Sequence, residues 1–358
     1  MNPSVVREAS IGSQERCPRV VITEATSFIA RSLAYRILSD EIFGADQEIV
    51  LSLYDSGEQA MLLQTVAIEI TACAPNLLKD VVYSSDTSLA FAGADWVFFI
   101  GKSRDYNFSK SQELQDDPFF IESVLETKKM AIALEKFAKI DVKIITLGNT
   151  SARLISEYAP SIPKNNITGV TLVLQRLAAS AIAKKTGRLP SDVKNLIIWG
   201  TNSRSVFPYC GHAKFSDEKS VINEICDDKW FKKTLPKLVE GVFRKCRYRI
   251  SEALALAEHC KLLVQGTPPG EWTCMSVVSD GSYDVTPGHF FSFPLYCRDG
   301  NWEIVRDLYV EDYCKRIIKD IIVALDEKIE AALKICRRAN VSSIVSRKSL
   351  RKSIIKIT

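Results

Sequence analysis

Arg19-Val20-Val21-Ile22-Thr23, followed by Glu24-Ala25-Thr26-Ser27-Phe28-Ile29-Ala30, is the stretch that decides the fold class. Pro18 precedes a short β-branched run, so Arg19 to Thr23 reads as a strand. A helical pattern then runs from about Ser27 to Ile42. A strand, a tight turn and a helix form the unit that cradles a dinucleotide pyrophosphate on backbone amides. That use needs glycines at positions 24 and 27, where Glu24 and Ser27 stand. Ala30 is acceptable at the third, close-packed position, and Ser27 is tolerable as a small residue at a helix N-terminus. Glu24 adds a side chain where backbone should touch phosphate. An inward carboxylate would also repel the ligand by a few kcal/mol per charge pair, at an effective dielectric of about 20.

Outward from this unit, Glu48 to Tyr54, Ala94 to Ile100 and Val142 to Leu147 are short apolar runs that read as strands. A helical pattern spans about Phe119 to Ala138. Strands alternating with helices indicate an α/β domain built on a parallel, Rossmann-like sheet. The second half is mixed α+β. Thr171 to Lys185 is helical, Val193 to Trp199 a strand, and Trp230 to Leu263 a long helix-compatible region. Trp272 to Ser279 and Phe290 to Cys297 read as paired strands. A final helix sets Ile318, Ile322, Leu325, Ile329 and Leu333 on one stripe. The expected division is an N-terminal segment 1–18, a dinucleotide-binding domain 19–160, a substrate-type domain 161–338 and a basic, Ser-rich tail 339–358.

With 46% hydrophobic and 25% charged residues, the chain has the composition of a soluble globular protein. Ten cysteines without a CxxC pair, and only three histidines, argue against a metal centre and for free thiols in a reducing compartment. The first 19 residues carry Arg7, Glu8, Glu15 and Arg16 and no apolar core, which excludes a secretory signal. No apolar run reaches membrane-span length. A cytoplasmic protein is the expectation. Seven of the Lys and Arg residues fall between Arg337 and Thr358 with no acid among them, so the body is net negative although the chain is +4. That charge excludes the body as a nucleic-acid surface. The tail reads as a solvated, disordered end. A sharper alternative is a contact with an anionic partner, switched by phosphorylation at Ser349 or Ser353.

Asp55, in Leu53-Tyr54-Asp55, ends the second strand where a carboxylate would hold the adenosine ribose hydroxyls of NAD. An ordinary acidic residue at a strand end is an equal reading. Further matches are longer: Leu77-Leu78-Lys79-Asp80-Val81, Ala159-Pro160-Ser161-Ile162-Pro163-Lys164 and Asp192-Val193-Lys194-Asn195-Leu196-Ile197-Ile198-Trp199-Gly200. Gly266-Thr267-Pro268, Gly270-Glu271 and Ser279-Asp280-Gly281 add to them. From about Arg19 to Cys336 the sequence resembles the cytosolic-type malate dehydrogenases.

The resemblance implies a mechanism. A histidine takes the hydroxyl proton of malate while hydride passes to NAD. An aspartate on a neighbouring helix orients that histidine, and arginines bind the substrate carboxylates. Carried over, the histidine position is Asn202, whose amide cannot exchange a proton near neutral pH. In Thr171-Leu172-Val173-Leu174-Gln175-Arg176-Leu177 the aspartate position is Leu174 and the carboxylate-binding arginine position is Leu177. Arg176 would need a shift of helix register to replace it. Loop arginines belong between Gly101 and Gln112, where Arg104 lies close to the first position and Lys110 and Ser111 near the second. Asn149 matches an asparagine beside nicotinamide and substrate, followed here by Thr150 where the family has proline. His212 matches a histidine outside the proton transfer. His259 and His289 read as packing or surface residues.

Two readings follow. The first is a catalytically degenerate, malate dehydrogenase-like binding or structural protein, paired with itself or with a related subunit. The alternative is an NAD-dependent oxidoreductase acting on malate or another 2-hydroxy acid through a remodelled site. NAD binding is implied by the resemblance and weakened by Glu24; no metal is implied.

Overall fold

The computed structural model describes residues 17–101, 116–202, 205–245 and 250–354, with backbone alone at 201, 202, 205, 243–245 and 340–354. The loop positions Arg104, Lys110 and Ser111 therefore lie outside the described residues. Six strands, β1 (Arg19–Ile22), β2 (Ile49–Tyr54), β3 (Leu78–Ser84), β4 (Trp96–Phe99), β5 (Lys143–Thr146) and β6 (Ile167–Val170), pair in parallel in the order β3-β2-β1-β4-β5-β6. This is the doubly wound order, with its reversal between β1 and β4. Val20, Val21 and Ile22 are fully buried because β1 is covered on both faces, which is why it reads as a continuous apolar run. The carboxyl ends of β1 and β4 are tied together: the Thr23 hydroxyl donates to Ile100 O and accepts from Ile100 N, both at 2.9 Å.

The helices are α1 (Phe28–Ile37), α2 (Asp40–Phe43), α3 (Ala60–Ala72), α4 (Thr87–Ala90), α5 (Pro118–Phe137), α6 (Asn149–Tyr158), α7 (Leu172–Thr186), α8 (Val221–Ile225), α9 (Leu235–Lys245), α10 (Ile250–Gln265) and α11 (Asp312–Ile354). Ser27 starts α1 by accepting from Ala30 N at 3.2 Å, and Ile29, Leu33 and Ile37 then recur on its buried face. Asp117 caps α5, with Pro118 following it. Gly187 ends α7 in the left-handed conformation.

Three further strands, β11 (Thr273–Val278), β12 (Phe290–Arg298) and β13 (Asn301–Ile304), are antiparallel and extend the same sheet beyond β6, making nine strands. Two small ladders complete the set: β7 (Val193–Lys194) with β10 (Lys214–Phe215), and β8 (Ile197–Asn202) with β9 (Ser205–Tyr209).

Several expected elements divide. The helix expected from Ser27 to Ile42 breaks at Leu38 into α1 and α2. The single strand expected over Val193 to Trp199 becomes β7 and β8. Asn195 between them takes φ +56 and spends its amide on Gly270 O (3.2 Å) and Trp272 N (3.1 Å). Trp230 to Leu263 resolves into a π-helical turn (Trp230–Thr234), α9 and α10. In α11 the anticipated stripe holds, with Ile318, Leu325 and Leu333 buried. The helical backbone continues to Ile354, so the basic segment extends α11 where a coil was expected.

Every cysteine among the described residues is free. Burial pushes the Cys210 and Cys260 thiols well up, and those of Cys274 and Cys297 to about 12. Thiolate is the reactive form, so these four should resist iodoacetamide in the native state. Exposed Cys73 and Cys226 should label within minutes. Peptide mass spectrometry of the alkylated protein reads the pattern, and rapid labelling of Cys274 would contradict it.

Candidate active site

Most of the expected site residues follow the carboxyl ends of parallel strands. Glu24 and Ser27 follow β1, Asp55 follows β2, and Asn149 begins α6 just after β5. Leu174 and Leu177 lie on α7, which packs against β8 and β11. Asn202 is the last residue of β8.

The β1–α1 turn closes on itself. Glu24 adopts φ +50, the left-handed region that favours glycine, and its carbonyl accepts from Ser27 N at 2.9 Å. The Ser27 hydroxyl is engaged by its own helix through Ala30 N. Asp55 is 3% exposed, and its carboxylate is taken up internally. Oδ2 accepts from Thr26 N at 2.9 Å and from the Thr26 hydroxyl at 2.6 Å, and Oδ1 accepts from Ser56 N at 2.8 Å. Thr26 thus belongs to the site although its side chain was not singled out in the sequence. Its only signal there was a hydroxyl residue two positions after Glu24.

Beside the turn, the Tyr54 hydroxyl donates to Glu126 Oε1 at 3.1 Å. Burial, then Glu126, then Glu24 and Asp55, push the Tyr54 phenol well above its ordinary range, so three carboxylates gather around the end of β2. Lys129 Nζ lies 3.5 Å from Glu126. The phosphate and ribose positions therefore do not fit a dinucleotide held in the manner that the resemblance implies. A side chain stands at the first position where such a turn needs glycine, and Asp55, the expected ribose ligand, has donors of its own.

The other end of the crevice differs. Asn149 Nδ2 donates to Phe290 O at 2.7 Å, while its Oδ1, on a residue 5% exposed, has no partner. Gly169 leaves room for it: a Cβ there would lie 3.5 Å from Asn149 Oδ1 and 3.0 Å from Ser276 Cβ. Ser276 Oγ is likewise buried and unpartnered. Ser276 does not stand out in the sequence, since a serine within an apolar strand carries no periodic signal.

On α7, Leu174 is 2% exposed and shares an apolar cluster with Val173, Ile198 and Trp199. Leu177 is partly buried against the same cluster. No shift of register brings Arg176 inward, because it reaches Glu258 on α10 at 3.8 Å on the exposed side. Gln175 turns inward, donating to Leu196 O at 3.0 Å and accepting from Cys274 N at 3.4 Å. Gly200, at φ +84, sits in a register shift between β8 and β9 that ends at Asn202. A bulge of this kind bends the strand that carries it.

The three histidines have structural partners. His212 Nε2 donates to Tyr309 O at 2.8 Å. His289 Nε2 lies 3.0 Å from Asp326 Oδ1 on α11. His259 is fully buried with Nε2 2.8 Å from the Thr168 hydroxyl, and burial lowers its pKa to about 3, so it is neutral. Among the described residues, no group of three or more His, Cys, Asp or Glu side chains could hold a metal ion. No described helix is long and apolar enough to cross a membrane.

Comparison with known proteins agrees with this architecture. Residues 171–335 match the lactate/malate dehydrogenase alpha/beta C-terminal domain. The chain is 33% identical to the cytoplasmic malate dehydrogenase of Gallus gallus over 328 residues, covering 88% of this chain and 97% of that protein. It is also 33% identical to that of Homo sapiens over 327 residues, covering 88% and 96%. Among solved structures, a malate dehydrogenase from Naegleria fowleri superposes with a TM-score of 0.80 at 25% identity, covering 89% of this chain and 98% of that one. A Trichomonas vaginalis lactate dehydrogenase in complex with NADH and oxamate gives 0.82 at 25% identity, covering 90% and 99%. With the doubly wound sheet, the antiparallel extension and near full-length similarity together, the chain belongs to the lactate/malate dehydrogenase family.

Proposed function

We propose that this chain is a non-catalytic member of its family, a cytoplasmic protein that acts by binding, as a homodimer or with a related subunit. The observation that carries this reading is the burial of Leu174 at 2% exposure in the apolar cluster that Leu177 also packs against. Those are the positions that the resemblance gives to the orienting acid and the substrate clamp. Both have become hydrocarbon, and the position of the base holds Asn202. An apolar wall is self-consistent there, since unpaired charges facing it would be costly. No residue at these three positions can take a proton from a hydroxyl group or bind a carboxylate by charge.

The test is a steady-state assay of the purified protein with NADH and oxaloacetate. Turnover should be undetectable against the roughly 1–10³ per second of ordinary enzymes. Asn202→His alone should leave it undetectable, because Leu174 gives the new imidazole no orienting acid. Turnover by the unmodified chain in the ordinary range would refute the proposal. A robust gain from the single substitution would mean that another acid serves in place of position 174. The second reading, a remodelled NAD-dependent oxidoreductase, is favoured by the unpartnered Oδ1 of Asn149, which is free to accept from a small-molecule amide or hydroxyl. It predicts turnover with some 2-hydroxy acid in the same assay.

A further inference from the structure

We infer that Thr26 and Glu24 lock the dinucleotide crevice from within, so that the chain's own hydroxyl takes the place of a ribose hydroxyl on Asp55. The inference rests on the family reading of this crevice and extends it from catalysis to cofactor selection. An ionised carboxylate offers about four lone-pair sites. Three at Asp55 are filled: by Thr26 N, by the Thr26 hydroxyl at 2.6 Å and by Ser56 N. With the residue 3% exposed, at most one acceptor site is left, too few for the two hydroxyls of a vicinal diol. A ribose entering this position must displace the Thr26 hydroxyl from a short, charge-assisted bond and regain only what it breaks.

One residue pair away, Glu24 works on the phosphates. Its φ of +50 keeps the turn in the left-handed form that a phosphate-binding glycine would adopt, yet a Cβ and a carboxylate now project from it. Thr26 and Asp55 close the ribose side, and at position 24 a side chain occupies space that a glycine would leave to the pyrophosphate. The Ser27 hydroxyl caps the first turn of α1 through Ala30 N, which spends part of the donor set that would face a phosphate. Thr26 is thus a specificity-determining residue at the ribose and Glu24 at the pyrophosphate, and together they exclude dinucleotides as a class.

The test is calorimetric titration of the full chain with NADH and, separately, with ADP-ribose, which carries the ribose and pyrophosphate but no nicotinamide. The unmodified chain should show no saturation with either ligand below millimolar concentration. Thr26→Ala keeps the backbone bond to Asp55 and frees one acceptor site; alone it should tighten binding about tenfold, the value of one hydrogen bond. Glu24→Gly combined with Thr26→Ala should tighten both ligands at least about a hundredfold and in parallel, because the lock acts on the half they share. Circular dichroism of each variant confirms folding, which Glu24→Gly should favour by relieving the positive φ.

Micromolar binding of NADH to the unmodified chain overturns the inference. So does a folded double variant that gains nothing, or one that gains for NADH but not for ADP-ribose. The two proposals fail separately: binding without turnover removes the lock and leaves the non-catalytic reading intact, whereas turnover removes that reading.

Discussion

Leu174→Asp should cost about 3–5 kcal/mol of stability, the range for a buried ionisable group set into hydrocarbon without a partner. Leu174 is 2% exposed within the main apolar core, and the neighbouring α7 cation Arg176 is turned toward Glu258. The introduced carboxyl would therefore find no counter-charge on that face of the helix. It would stay protonated in the folded state and ionise on unfolding. The penalty should consequently shrink as pH falls toward the ordinary carboxyl range. Arg176→Ala on the same helix should change stability by less than about 0.5 kcal/mol, because its ion pair is exposed and long. Urea denaturation midpoints of the three proteins give the comparison. A Leu174→Asp variant as stable as the unmodified chain would show that this side chain reaches water or a cation.

Acid should unfold the protein through His259 earlier than its carboxylates alone would require. The folded imidazole is fully buried, bonded through Nε2 to Thr168 with Nδ1 lacking a partner, and burial lowers its pKa to about 3. In the unfolded chain a histidine titrates near 6.5. The depressed group thus contributes stability that is fully present above pH 6.5. Between pH 6.5 and about 3 only the unfolded state takes up the proton, so stability falls by up to about 1.4 kcal/mol per pH unit. The accumulated loss approaches roughly 5 kcal/mol at the lower end. His259→Asn keeps a hydrogen-bonding side chain toward Thr168 and removes the titration. Its stability should decline less steeply than that of the unmodified chain between pH 6.5 and 4, and parallel curves would exclude His259 as the cause.

The parallel core was legible wherever apolar runs were bounded by polar or glycine residues, as at Val20 to Ile22 and Trp96 to Phe99. β3 and β6 do not read as strands in the sequence. β3 carries Lys79, Asp80 and Tyr83 at the sheet edge, and β6 has only four residues, with Gly169 among them. Asn195 hid the break between β7 and β8, because left-handed backbone leaves no periodic trace. The site positions that we propose at Leu174, Leu177 and Asn202 are legible only through the resemblance, since leucine on a helix is otherwise unremarkable. The bond between Thr26 and Asp55 was invisible for a different reason. It joins residues 29 positions apart, across a strand pairing that spacing alone does not define.

The continuity of the sheet from β6 into β11 bears on how the chain can be divided. Cutting near residue 160 would strand β6 on the C-terminal piece, leaving the N-terminal piece with β5 as a raw, apolar border. Such borders template pairing between molecules. The two halves are therefore not interchangeable modules that could be expressed apart and recombined. Any division of the chain for expression would have to keep β5, β6 and β11 on one piece.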